Sequence, residues 1–313
     1  MNEPRIFTGN ANPALAQKIT EYLKISVAEA EVFTFSNDNI FVRLIHSVRG
    51  KDVYVVQPMS APVNHNIMEL LIMIDALKRA SADRITAVVP YYGYSRTDKK
   101  DQPRVPITAR LVADLLEAAG AHRVLTLDFH AAQIQGFFKI PVDELTALDI
   151  LVDYFTEKKI KNGVVVATDI GISKRARDMA EKLQMPLAIM EKRRGGNDDK
   201  SEVLRIIGEV KGKTAIIVDD EIDTAGSLCN TAKVLQEQGA LIIYSCATHA
   251  VFSGPAYERM EKAPIEEIVV TDTIAIPADK KLKKITVLSC APLLGEAIHR
   301  INSGMSIGEM FGE

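Results

Sequence analysis

Short apolar runs rich in β-branched residues alternate along this chain with segments of helical period, and that alternation constrains the fold more than any other feature. Residues 52–57 (DVYVVQ), 84–89 (RITAVV) and 123–128 (RVLTLD) carry apolar side chains at consecutive positions, as strands buried on both faces do. Between the first two, Ile67, Leu70, Leu71, Ile74 and Leu77 recur at the spacing of one buried helical face. Asn66 and Glu69 have the spacing of a capping box at that helix's start. A second series follows residues 141–149, with strands predicted at 163–167, 186–190, 214–218, 240–244, 268–270 and 285–288. Strand, helix, strand in repetition predicts an α/β chain built from two doubly wound parallel sheets, each covered on both faces.

At 313 residues the chain suits two such domains, residues 1–145 and 146–313, with the last residues packing back on the first. Lys and Arg total 38 against 41 Asp and Glu, a net charge of −3, so no overall positive field draws the chain to nucleic acid or anionic lipid. Any anion must be held by a local site. Cys229, Cys246 and Cys290 are widely spaced in apolar surroundings, which suits buried thiols in a reducing compartment better than a disulfide framework or zinc site. No run approaches the ~18 apolar residues of a membrane span, and the N-terminus lacks the basic and apolar segments of a signal peptide. A cytoplasmic protein with no membrane partner is expected.

In open parallel sheets ligands gather beyond the carboxyl ends of the strands, so the residues after each strand are where chemistry is sought. The most informative such stretch is 216–227 (IIVDDEIDTAGS). A strand ends in Asp219 and Asp220, and a short turn of Asp223, Thr224, Ala225, Gly226 and Ser227 opens a helix. Backbone N–H groups and two hydroxyls then surround a point where the helix dipole favours an anion, which makes a phosphate cradle. Asp219 and Asp220 would accept from sugar hydroxyls or act as outer ligands of a divalent cation. A helix cap on Asp223 or Thr224 would explain one or two of these residues and leave the carboxylate pair without a task. Residues 208–214 resemble a P-loop but have three residues between the glycines where four are needed, and they precede a strand instead of following one. No Gly-x-Gly-x-x-Gly occurs, which removes the usual dinucleotide reading.

The acidic pair followed by Thr-Ala-Gly-Ser resembles the phosphoribosyl-diphosphate loop of type I phosphoribosyltransferases. Residues 127–138 (LDFHAAQIQGFF), 91–99 (YYGYSRTDK) and Lys192 to Arg194 narrow the resemblance to the ribose-phosphate pyrophosphokinases, and it runs over nearly the whole chain. It implies two domains of phosphoribosyltransferase type and transfer of the β,γ-diphosphoryl group of ATP to the 1-hydroxyl of ribose 5-phosphate, leaving AMP. Carried over by position, it assigns His130 and Asp169 to a magnesium–ATP site, Arg96 with Thr97 to the nucleotide, and Lys192 with Arg194 to catalysis. It gives Asp219, Asp220 and residues 223–227 to ribose 5-phosphate. It implies Mg²⁺ as the metal, a homo-oligomer of hexameric type, and phosphate and ADP effectors acting near Ser47, Arg49, Gln135 and Ser306.

Apart from the resemblance, the same residues carry their own signals. His130 follows a strand end, and the adjacent Asp128 and the polar Gln133 and Gln135 weigh against a core histidine. Lys192 to Arg194 read as a turn before the glycine pair Gly195 and Gly196, either a solvated charge run or a lid bringing cations over a phosphate. Asp169 opens a second strand-to-helix turn suited to diphosphate or metal.

The departures from the family pattern are informative. In the loop that reaches the adenine of a neighbouring subunit, the family's Phe-Ser-Asp-Gly-Glu is here Phe35, Ser36, Asn37, Asp38 and Asn39. Two acceptor-only carboxylates have become amides, which can donate as well as accept, so discrimination among bases is expected to relax. Thr97 replaces Gln, Glu221 and Ala225 replace Met and Gly, and Gly308 stands where a second Ser is common, removing one hydroxyl donor to a phosphate effector. Two other functions compete: a catalytically silent paralogue that regulates a true synthetase, and a phosphoribosyltransferase that attaches a base. The first is disfavoured by the presence of every site residue, and the second leaves the His130 segment and Lys192 without a task.

Overall fold

The computed structural model describes residues 3–194, 202–280 and 282–311, excepting the side chains of 192–194, 202–204 and 311. Contacts divide the chain into two compact units: Met1–Thr146 with Thr273–Ala275 and Ser289–Glu313, and Ala147–Asp272 with Ile276–Leu288.

The first unit is built on a parallel five-stranded sheet. Its strands are β1 (Arg5–Thr8), β4 (Asp52–Val56), β5 (Arg84–Val89), β6 (Arg123–Leu127) and β7 (Val142–Leu145), adjacent in that order. Two further strands, β2 (Ala30–Thr34) and β3 (Ile40–Leu44), form a separate antiparallel hairpin. Helices α1 (Pro13–Leu23), α2 (Val63–Arg79) and α3 (Thr108–Ala119) lie between the strands in sequence. Val53, Val55, Ile85, Ala87 and Val89 share one core with Leu70, Ile74 and Leu77 of α2 and Val112 and Leu116 of α3. Tyr54, Val56 and Val88 alternate with them along the strands and are also fully buried, as a sheet covered on both faces requires.

The capping box expected at Asn66 does not form. Helix α2 starts about one turn earlier, at Val63, and Asn66 instead donates from Nδ2 to the Ser60 carbonyl at 2.8 Å. Glu69, fully buried, is used elsewhere in the unit. Helix α3 ends at Gly120, whose φ of +119° is costly for a residue with a Cβ.

The second unit holds a seven-stranded sheet. Helix α4 (Leu148–Glu157) precedes β8 (Gly163–Ala167), then come α5 (Ser173–Leu183), β9 (Leu187–Arg194), β10 (Glu202–Ile207), β11 (Thr214–Ile222), α6 (Gly226–Glu237), β12 (Ile242–Ala250), α7 (Ala256–Lys262), β13 (Glu267–Thr271) and β14 (Ile285–Leu288). Their order across the sheet is β10-β9-β8-β11-β12-β13-β14, parallel throughout except for the β9–β10 pair. Val164, Ile217, Ala247 and Ile268 pack under α6 and α7 on one side, and Val165, Ile216 and Val218 pack with α4 and α5 on the other. Helix α8 (Ala291–Ser303) belongs to the first unit, where it packs on α1 and where Tyr22 donates to Glu296 at 3.1 Å.

The fold is therefore the α/β, parallel-sheet architecture that the alternation predicts. Two local readings differ. Lys192 to Arg194 lie within β9, paired antiparallel with Glu202 to Leu204, and do not form a turn. The strand expected at 240–244 begins at Ile242 and continues to Ala250. All three cysteines are buried, and none forms a disulfide.

Candidate functional site

In the second unit the chain moves from β8 outward to β9 on one side, then returns to place β11 against the other side of β8. The strand order reverses there, so the helices that follow β8 and β11 leave toward opposite faces and open a crevice beyond the strand ends. Val218 stands in register with Ala167, which brings the residues after each strand face to face. Thr168 donates from Oγ1 to Asp219 Oδ2 at 2.9 Å, and the Asp220 amide donates to Asp219 Oδ1 at 3.0 Å. Burial pushes the Asp219 carboxyl well above the usual carboxylate range, and the Asp220 carboxylate beside it adds to the rise.

Beyond the pair, the backbone turns sharply. Ala225 has φ +57° and ψ +13°, a left-handed conformation, and as the residue preceding the first turn of α6 it offers no side-chain cap. The N-cap position is therefore held by Ala225 and not by Asp223 or Thr224. Asp223 accepts instead from the Ser253 hydroxyl, and its carbonyl accepts from the Ser253 amide at 3.0 Å. The Thr224 carbonyl accepts from Arg259 at 3.0 Å, and a Cβ on Gly226 would come within 3.2 Å of that guanidinium. Thr224 and Ser227 are exposed, so their hydroxyls and the amides at the start of α6 face solvent together. An exposed helix N-terminus beside buried carboxylates suits a ligand carrying an anion at one end and hydroxyls at the other. Glu221, where Met is usual in the resembling family, is buried and in register with His249 on β12.

Asp169 lies just past β8 and is exposed, with Oδ1 accepting the Ile172 amide at 3.2 Å. Lys192 and Arg194 follow on the neighbouring strand β9; their side chains, and Gly195 to Ser201, lie outside the described residues.

The first unit carries the remaining predicted residues, again beyond strand ends. Arg96 is exposed in the segment after β5, and Thr97 donates from Oγ1 to the Tyr94 carbonyl at 2.7 Å. His130 is exposed just past β6, where the Phe129 amide donates to Glu144 at 2.9 Å. Gln133 Nε2 donates to the buried Asp98 at 2.5 Å and so ties the two segments together. Phe35, Asn37, Asp38 and Asn39 form the exposed end of the β2–β3 hairpin, closed by the Phe35 amide to Asn39 carbonyl bond of 2.8 Å. Asp38 holds φ +65°, a conformation aspartate accepts more readily than most residues, which accounts for its standing where the resembling family has glycine. Ser47, Arg49 and Gln135 are exposed as well, and the Ser306 hydroxyl accepts the Gly308 amide at 3.1 Å.

Four residues that matter to this geometry escape sequence reasoning, Thr168, Ser253, Arg259 and Glu144, and Asp98 falls within the 91–99 segment without a role of its own there. Thr168 alone had a signal, its place directly after a buried strand. Among the described residues no group of three His, Cys, Asp or Glu side chains converges. None of the described helices is long and apolar enough to cross a membrane.

Residues 4–120 match the family described as the N-terminal domain of ribose phosphate pyrophosphokinase, and residues 195–312 match the phosphoribosyl synthetase-associated domain. A ribose-phosphate pyrophosphokinase of Caldanaerobacter subterraneus subsp. tengcongensis is 57% identical over 99% of this chain and 98% of its own length. One from Clostridium perfringens is 53% identical over 98% of this chain and 97% of its own. The crystal structure of a phosphoribosylpyrophosphate synthetase from Mycobacterium smegmatis superposes with a TM-score of 0.92 at 43% identity, covering 97% of this chain and all of that one.

Proposed function

The chain belongs to the ribose-phosphate pyrophosphokinase family, and from that premise we propose how its own residues carry the reaction. It is an enzyme of nucleotide biosynthesis that transfers the β,γ-diphosphoryl group of ATP to the 1-hydroxyl of ribose 5-phosphate, giving 5-phosphoribosyl 1-diphosphate and AMP. Little covalent help is needed in such a transfer, because charge spreads over phosphoryl oxygens and is stabilised by cations held in place.

The reading of the sites rests on one observation: a carboxylate pair and a helix N-terminus with exposed Thr224 and Ser227 meet where the strand order of the second sheet reverses. Ribose 5-phosphate lies there. Its phosphate takes the amides and hydroxyls of residues 223–227, Thr224 and Ser227 among them, and its ring hydroxyls donate to Asp219 and Asp220. Arg259 and Ser253 fix the turn, so the amides need no reorganisation when the phosphate arrives. Ala225 and Gly226 leave room for close backbone approach. Arg96, Thr97 and His130 of the first unit hold the ATP phosphates, and Phe35, Asn37, Asp38 and Asn39 take the adenine at a neighbouring subunit. Lys192 and Arg194 supply the cations that stabilise the transferring group.

Enzymes of this kind that act on ATP work with a divalent metal, and Mg²⁺ suits the residues here. It is usually held by one or two carboxylates, completed by water and substrate phosphate, so the exposed Asp169 fits without a cluster of three. Asp169 on the second unit and His130 on the first are each candidate ligands by the family resemblance, and the metal, when bound, would neutralise charge on the diphosphoryl oxygens. The two units divide the work into nucleotide and ribose-phosphate halves. A hexamer, phosphate and ADP effectors acting near Ser47, Arg49, Gln135 and Ser306, and a cytoplasmic location complete the proposal.

Mass spectrometry of the purified protein with ribose 5-phosphate, Mg²⁺ and ATP, beside a Lys192→Ala control, tests it. AMP and the 1-diphosphate of ribose 5-phosphate appear together in the parent and are lost in the control. Full turnover in the control would remove Lys192 from the mechanism.

A further inference from the structure

The hairpin that carries Phe35 to Asn39 is not a member of the five-stranded sheet; just before β2 the Ala28 amide donates to the Ile6 carbonyl of β1 at 2.7 Å, which ties the base, and something further must fix the part beyond it. Its inner side chains, Val32 and Val42, pack against the core that α2 helps to form. Apolar packing alone leaves a two-stranded ribbon free to slide and rock, because it is non-directional. The polar anchor is found at the other end of α2's first turns. Glu69 is fully buried; its Oε1 accepts the Asn10 amide at 2.6 Å and Gln57 Nε2 at 2.8 Å, and its Oε2 accepts Asn10 Nδ2 at 2.8 Å. Gln57, also fully buried, accepts the Ala11 amide at 3.1 Å. The loop presses so closely on this pair that a Cβ on Gly9 would lie 2.4 Å from Gln57 Oε1 and 2.7 Å from Glu69 Oε1.

Asn10 itself is exposed, and the same Nδ2 that reaches Glu69 also donates to the Val32 carbonyl at 3.4 Å. The ladder explains why that carbonyl is available. Phe35 pairs with Asn39 and Glu29 with Ile45 by amide-to-carbonyl bonds, so odd-numbered residues of β2 face β3 and even-numbered ones, Val32 included, face the free edge. A buried carboxyl group thus holds an amide side chain in one orientation, and that amide donates to the edge of the hairpin.

We propose that Asn10, locked by Glu69, is a positioning residue for the nucleotide: it fixes the β2–β3 hairpin and through it the Phe35–Asn39 turn. The inference rests on the reading that this turn takes the adenine. Neither Asn10 nor Glu69 touches substrate in this scheme, and both act only through the hairpin.

The test compares Asn10→Ala, Asn10→Gln and Phe35→Ala with the parent in steady-state kinetics of the whole enzyme, alongside hydrogen exchange. Asn10→Ala is expected to raise the KM for ATP about fivefold, the factor one ordinary net hydrogen bond confers. The KM for ribose 5-phosphate and kcat stay within about twofold, and amide exchange quickens across the hairpin. Asn10→Gln keeps both amide donors and recovers most of the loss. Equal damage to both KM values and kcat, or no rescue by glutamine, would reduce Asn10 to a structural role and overturn the proposal. An unchanged KM for ATP in Asn10→Ala while Phe35→Ala raises it overturns the proposal alone; no change in either variant overturns the adenine reading beneath it as well.

Discussion

Ala225 offers a measurement of what the turn before α6 costs the fold. It is 4% exposed in the core of the second unit and adopts φ +57°. Left-handed backbone costs an L-residue about 1–2 kcal/mol, which Ala225→Gly would relieve. Against this stand the greater freedom of glycine in the unfolded chain, about 0.4–1 kcal/mol, and the loss of one buried methyl, about 0.8 kcal/mol. The terms nearly cancel, so Ala225→Gly should leave stability within about 0.5 kcal/mol of the parent. Ala232 is fully buried in the middle of α6 and provides the contrast. There glycine loses about 1 kcal/mol of helix propensity and the same buried methyl, about 2 kcal/mol together. For a unit of this size that corresponds to a fall of about 4–8 °C in melting temperature. Circular dichroism melts at one fixed protein concentration compare the three proteins, since subunit association shifts the transition. Equal falls for Ala225→Gly and Ala232→Gly would refute the argument that the turn is strained at Ala225.

Asp219→Asn should flatten the pH dependence of stability. The folded-state pKa of Asp219 is raised above the unfolded value near 3.8, so its contribution is fully present below that value and lost as pH rises through the folded pKa. Melts from acid to neutral pH would show a fall in the parent that the variant lacks, and an identical slope in both counts against the shift. Asp169→Asn should raise the magnesium concentration giving half-maximal rate, and an unchanged magnesium curve would remove Asp169 from the metal site. Asn37 and Asn39 predict comparable turnover with ATP and GTP; strict use of ATP would sink the idea of a relaxed base pocket. Gly308 predicts weak activation by phosphate at fixed free magnesium, and strong saturable activation would contradict it.

What the sequence made legible follows the physics of burial. β5 and β8 begin and end where their apolar runs do, because strands covered on both faces need unbroken hydrophobic sequence. β1 and β7 are four-residue strands at the sheet edges, and β2 and β3 form a half-exposed hairpin with charged residues among the apolar ones, so no run marks them. The capping-box spacing at Asn66 and Glu69 misled for a related reason: the helix buries both side chains, and tertiary partners outbid the local cap. The turn at residues 223–227 was legible because its residues are contiguous. Its supports were not, since Thr168 reaches Asp219 across 51 positions and Arg259 reaches Thr224 across 35. Local pattern carries no trace of such pairs.

The return of α8 to the first unit bears on how the protein is made. The second unit is an insertion within the first, so the first cannot gain its α1–α8 packing until Ala147 to Cys290 has been synthesised. At roughly 5–20 residues per second that delay is about 7–30 s. During that interval the surface of α1 that α8 will cover, Gly295 against Tyr22 among its contacts, stays without its partner while the inserted unit emerges. Nascent chains should therefore acquire protease resistance in the second unit first, the reverse of their order in the sequence.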